Sequence, residues 1–167
     1  MKKVYSVIPR TLSIIVNRSH DKVLLLLGNP RKTHWANRYN AVGGHIEAGE
    51  EVYRSAAREI AEESGIALSP QELRFKGLVH VRTYFNENVF MLVFRADVGR
   101  VTLRASHEGT LHWISIAKIS ELENIAPDLK QLIPKILGLR RGEFLSGWSA
   151  YNKQRRLTSF VVKIFDV

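Results

Sequence analysis

The stretch 50–64 (EEVYRSAAREIAEES) constrains the fold more than any other part of the chain. A glycine stands on each side of it, and its apolar residues recur at helical spacing. Gly49 precedes it, and Gly65 follows as a C-terminal stop. At about 100° per residue, Val52, Tyr53, Ala56, Ala57 and Ile60 share one face about 140° wide. This spacing predicts a helix over 50–64, with Glu50 and Glu51 in a first turn that favours acids. The small pair Ala56 and Ala57 lets that face approach a sheet closely.

Three further acids sit awkwardly on this helix. Glu59, Glu62 and Glu63 cover an arc of about 100° bordering the apolar face. They lie towards the negative end of the helix dipole. Their spacing of three and four residues costs about 0.2–0.5 kcal/mol per like-charged pair. Arg58 offsets part of this. A divalent cation would remove the conflict, and carboxylate oxygens are natural ligands of a hard ion such as Mg²⁺. A solvated acidic helix face is the other reading of the same residues.

The rest of the chain reads mostly as strands. Arg10–Val16 and Val23–Gly28 flank a polar turn, as do Leu73–Tyr84 and Val89–Val98 around Phe85–Asn88. Asn40–Val42 and Leu111–Ile114 are short strands, and Phe144–Tyr151 with Leu157–Phe165 forms a terminal hairpin. Residues 116–123 and 128–138 have helical spacing. Strands around one strong central helix predict a single α+β domain over 1–167. The length of 167 residues and 45% hydrophobic content suit one core.

Cysteine is absent, which excludes disulfides, thiolate metal sites and cysteine nucleophiles. The net charge is +9, but it is unevenly spread. Residues 44–66 hold six acids against two bases, net −4, so the remainder carries +13. An acidic segment inside a basic body suggests a metal pole and a polyanionic partner. Apolar runs such as Val23–Leu27 are far short of the roughly 20 residues of a membrane span. The expected location is cytoplasmic, with no membrane contact.

Gly44, Glu50, Arg58-Glu59-Ile60, Glu62-Glu63 and Gly65-Ile66 match the pattern GX5EX7REUXEEXGU, where U is a bulky aliphatic. All seven fixed identities and both class positions agree across 23 residues. This is the Nudix box, and the chain resembles a MutT/Nudix hydrolase. The resemblance implies the Nudix fold, an α/β/α sandwich with a mixed sheet and a terminal β-hairpin. It implies hydrolysis of a pyrophosphate bond in a nucleoside diphosphate linked to another group. It also implies that Glu59, Glu62 and Glu63, with Gly44, hold Mg²⁺, or Mn²⁺ in its place. Arg58 would orient the carboxylates, and Glu50 and the Gly43-Gly44 backbone would shape the loop before the helix. Glu108 is a candidate further ligand or base, and the family fixes no one position for the base.

The stretch Tyr39-Asn40-Ala41-Val42-Gly43-Gly44-His45 is similar to that of the oxidised-purine nucleoside triphosphatase branch (8-oxo-dGTP diphosphatase-like). That similarity gives Tyr39 and Asn40 a substrate role, with Asn40 reading the base. The branch carries a Trp-Pro-Asp-Asp run, and here the aligned stretch is Ala126-Pro127-Asp128-Leu129. Asp128 survives as a base contact or as an acid opening the helix after Pro127. The stacking Trp is gone, and Trp35 or Tyr39 is the candidate replacement. His45, Arg31, Lys32 and Arg38 are candidate phosphate contacts.

The leading expectation is therefore a nucleoside triphosphate pyrophosphohydrolase. The alternatives are a Nudix hydrolase of ADP-ribose, a dinucleotide or capped RNA, and a non-catalytic Nudix-fold ligand or RNA-binding module. A nucleotide is the expected partner, and nucleic acid is not specifically indicated. The basic excess by itself does not establish nucleic-acid binding.

Overall fold

The computed structural model describes residues 5–31, 35–104 and 106–166. Its strands are β1 (Ile8–Asn17), β2 (Lys22–Gly28), β3 (Tyr39–Asn40), β4 (Arg74–Arg82), β5 (Asn88–Val98), β6 (Gly109–Ser115), β7 (Glu143–Tyr151) and β8 (Leu157–Asp166). The helices are α1 (Val52–Ser64) and α2 (Pro127–Gly138), with 3₁₀ turns at Pro70–Glu72 and Ile116–Glu121. The strands form one sheet in the order β3-β2-β1-β5-β4-β7-β8, with β6 on the other edge of β2. The β1–β5 and β4–β7 pairs are parallel and the other strand pairs antiparallel, so the sheet is mixed.

Strand alternation divides the apolar residues between two cores. Leu12, Ile14 and Val16 of β1 join Leu129, Leu132, Ile133 and Ile136 of α2 on one side of the sheet. Ile15 and Leu24 join Ala56 and Ile60 of α1 on the other. Ala56 and Ile60 are fully buried, as the helical spacing predicts. The result is the expected Nudix fold, two helical layers around a mixed sheet, closed by the β7–β8 hairpin.

The central helix starts two residues later than its periodicity predicts. Glu51 is its N-cap, and its carboxylate accepts the Tyr53 and Arg54 N–H groups at 3.1 and 3.0 Å. Glu50 stands outside the helix, turned to Arg58 instead of the helix dipole. At the other end Gly65 caps in the left-handed conformation, φ 75°.

The segment from β3 to α1 positions the site by crossing between strands. It starts on β2, where Leu26 and Leu27 pair with Asn40 and Tyr39. It then moves to β1, where Val42 bridges Ser13 and His45 bridges Arg10. Thr11 N–H donates to the Gly44 carbonyl at 2.9 Å. Gly43 is required just past the crossing, where the segment runs close along β1. Its φ is +147°, and a Cβ there would sit 2.3 Å from the Thr11 carbonyl oxygen. No helix among the described residues is long and apolar enough to cross a membrane.

Candidate active site

The acidic pole is built on the last two turns of α1. Arg58 is its hub. Its Nε and Nη2 donate to the two oxygens of Glu50 at 2.8 and 2.9 Å, a bidentate pair. Its Nη1 donates to Glu59 at 2.9 Å and to Glu62 at 3.2 Å, and its Nη2 also reaches the His45 carbonyl at 3.1 Å. These hydrogen bonds raise the Arg58 pKa and hold Glu50 at about 2 against an ordinary 4.5. One cation thus offsets part of the like-charge conflict that spacing alone predicts.

Glu63 is nearly buried and accepts the Gly43 N–H at 2.9 Å. Glu59 lies against Gly44, where a Cβ would meet its carboxylate at 2.4 Å. The missing side chain of Gly44 is therefore space the carboxylate occupies. In this arrangement no three acid or histidine side chains among the described residues converge as a ready ligand set, because Arg58 and Gly43 engage the glutamates. The donors nevertheless suit a hard divalent ion: carboxylates packed against Gly44, in space that a Cβ there would fill. Glu108 stands just before β6. Its side chain meets His107 at 3.0 Å, and its carbonyl accepts the Asn29 N–H at 2.9 Å.

On the opposite face of the sheet, towards α2, lies a cavity of about 600 Å³. This is a normal size for a small-molecule site. Its walls are mainly apolar, with Leu12, Val79, Met91 and Leu132, and its polar groups are few: Arg10, Asn40, Thr83, Glu87, Asp128 and the Tyr151 hydroxyl. A parallel bridge between Tyr39 and Ile125 sets these two segments side by side, and Asn40 and Asp128 both line the cavity. Tyr39 N–H donates to the Asn124 carbonyl at 2.7 Å, and Ala126 N–H donates to the Tyr39 carbonyl at 3.0 Å. These bonds set the start of α2 beside β3.

Asp128 is held by three donors or neighbours. Leu129 N–H donates to Oδ1 at 2.8 Å, Ser149 Oγ donates to Oδ2 at 3.1 Å, and Tyr151 lies alongside. The carboxyl is half-buried in the cavity wall, and its desolvation raises the pKa despite those hydrogen bonds. Burial and the neighbouring Asp128 also raise the Tyr151 hydroxyl.

Trp35 lines the cavity, edge-on to Tyr151 at 6.2 Å between centroids. It is held at φ 59°, an uncommon conformation for a large side chain. Ala126 also lines the cavity. Tyr39, an expected substrate contact, is absent from the cavity wall. β3 turns Asn40 inward, while the Tyr39 ring meets His112 edge-on at 5.7 Å. What Tyr39 contributes is its backbone. Lys32 falls outside the described residues.

Sequence reasoning missed Arg10, Ser149 and Tyr151. Arg10 does carry a signal: it interrupts an apolar strand in step with Leu12, Ile14 and Val16. Ser149 and Tyr151 carry none, because their meaning comes only from facing Asp128.

The chain matches the NUDIX domain family over residues 7–136. It belongs to the Nudix family. It is 28% identical over 122 residues to the NAD-capped RNA hydrolase NudC of Vibrio atlanticus, covering 72% of this chain but 43% of that one. The chain thus spans less than half the length of that relative. It is 28% identical over 145 residues to the oxidized purine nucleoside triphosphate hydrolase of Mus musculus, covering 85% of this chain and 88% of the other. A MutT protein from Bacillus halodurans has the same fold, with a TM-score of 0.78 at 26% identity. That match covers 94% of this chain and 98% of the other.

Proposed function

We propose that the chain is a divalent-metal-dependent hydrolase of purine nucleoside 5′-triphosphates, oxidised purines among them, releasing a monophosphate and pyrophosphate. The observation carrying this reading is a cavity lined by both Asn40 and Asp128, with Asn40 in the segment that continues through Gly43 and Gly44 to the glutamates of α1. The similarity to the oxidized purine nucleoside triphosphate hydrolase of Mus musculus supports the same substrate class.

In this reading Glu59, Glu62 and Glu63, with Gly44, would hold the metal. The bound ion supplies charge neutralisation at the phosphates and activation of a water. The remaining tasks belong to protein groups. Arg58 keeps the carboxylates oriented. Burial favours the neutral form of Asp128, which can donate a hydrogen bond to a base acceptor while Asn40 reads a second edge atom. Trp35, rather than Tyr39, supplies the aromatic surface that Ala126 lacks. A base that mismatches Asn40 and Asp128 leaves buried polar groups unpaired, which is the basis of strong discrimination. Glu108 is retained as a candidate base or further ligand.

A second reading, cleavage of a capped RNA or a dinucleotide, has one observation behind it. Arg38 and Arg155 border a niche beside the cavity, and the Arg155 guanidinium lies 4.9 Å from the Tyr84 ring centroid. A panel of nucleoside triphosphates, ADP-ribose, dinucleotides and capped RNA, read by phosphate release, separates the two. Triphosphates should turn over fastest, with Glu62→Gln slower by orders of magnitude at an unchanged melting temperature. Turnover confined to capped RNA would overturn the first reading, and an unimpaired Glu62→Gln would overturn the metal-ligand role.

A further inference from the structure

Arg10 lies where the two halves of the site meet. On β1 it shares a face with Leu12, Ile14 and Val16, so it projects towards the α2 side and lines the cavity. A guanidinium in such a wall loses hydration and needs polar partners. Its Nη2 donates to His45 Nε2 at 2.8 Å. Its Nε is buried and has no hydrogen-bond partner among the described residues. The arrangement is rigid, because Arg10 bridges His45 in the backbone and Thr11 N–H holds the Gly44 carbonyl. The charges of Glu87, at the cavity mouth, and of Glu59, at the acidic pole, both act on the guanidinium.

We infer that Arg10, supported by His45, binds the phosphate next to the nucleoside, as the link between the cavity and the glutamates. The inference rests on the proposed nucleotide substrate and adds a residue outside the box to its binding. A nucleotide with its base beside Asn40 and its outer phosphates at Glu59 must turn past Gly43–His45, where Arg10 stands. A phosphate there supplies an acceptor for the buried Nε, and the planar fork of arginine fits phosphate oxygens two at a time. The contact would be made by substrate and monophosphate product alike.

The test is direct binding, on the full chain, of adenosine, guanosine, 8-oxoguanosine and their 5′-monophosphates, by titration calorimetry. Arg10→Gln should weaken the preferred monophosphate about tenfold and leave its nucleoside within about twofold, with Arg10→Lys between the two. KM for the triphosphate should rise by a similar factor while kcat changes much less, since the contact exists before and during reaction. Unchanged monophosphate binding in Arg10→Gln overturns the inference. So does equal weakening of nucleoside and monophosphate, which would mean a base contact or a structural role. Should Arg10→Gln fail to fold, Arg10→Lys decides: a monophosphate affinity equal to wild type with shifted base preference overturns the phosphate contact. If the wild-type chain binds none of these ligands and hydrolyses no nucleotide, the proposed function itself fails, and this site with it.

Discussion

Arg58 and Asp128 show how a single ionisable side chain takes its properties from its neighbours. Arg58 serves Glu50, Glu59 and Glu62 together. The Glu50 carboxyl is depressed to about 2 in the fold, so its stabilisation is present above its ordinary 4.5 and is lost as pH falls towards 2. Asp128 has the opposite sign. Its pKa is raised above 3.8, so the native state keeps a proton that the unfolded chain has released. Stability therefore falls as pH rises through that window. Asp128→Asn should remove this slope, melting above wild type at about pH 8 and converging with it below about pH 4. Thermal melts over a pH series check this, and an unchanged slope would contradict the burial effect. The acid on α1 was legible from its spacing. The unusual state of Asp128 was not, because Ser149 and Tyr151 lie more than twenty positions away.

At the scale of elements, periodicity predicted α1 well because its apolar face is a local property. Ala56 and Ile60 lie in the core as their spacing requires. The start of the helix was displaced because two candidate acids stand in sequence and local spacing does not choose between them. Glu51 takes the cap, and Arg58, one turn and more away, claims Glu50. Glu51→Ala should therefore cost about 1 kcal/mol, or roughly 2–4 °C in melting temperature, with kcat retained. Calorimetry alongside steady-state kinetics tests this, and a loss of kcat at equal stability would assign Glu51 to the site instead. The hairpins were legible from their polar turns. The two-residue strand β3 extends only over Tyr39–Asn40, since by Val42 the chain has left β2 for β1.

For the whole molecule, the uneven charge has a structural counterpart. The net −4 of residues 44–66 gathers around α1 and the loop before it, within a chain of net +9. Removing divalent metal with a chelator should stop hydrolysis, and Mg²⁺ or Mn²⁺ should restore it. The same ions should raise the melting temperature in proportion to the logarithm of their concentration once binding is saturated. Hydrolysis that persists in chelator would contradict a metal-dependent reaction. The amino-acid sequence alone determined the acidic helix, its glycine boundaries, the hairpins and the Nudix assignment, because each depends on residues within a few turns of one another. The tertiary structure decided the cavity, the exclusion of Tyr39 from it and the junction at Arg10 and His45. The parallel β1–β5 and β4–β7 pairs and the Tyr39–Ile125 bridge join segments far apart in the chain. Such contacts leave no periodicity in sequence, so only the folded chain places Asn40, Asp128 and Arg10 around one cavity and pairs Arg10 with His45 beside the glutamate pole.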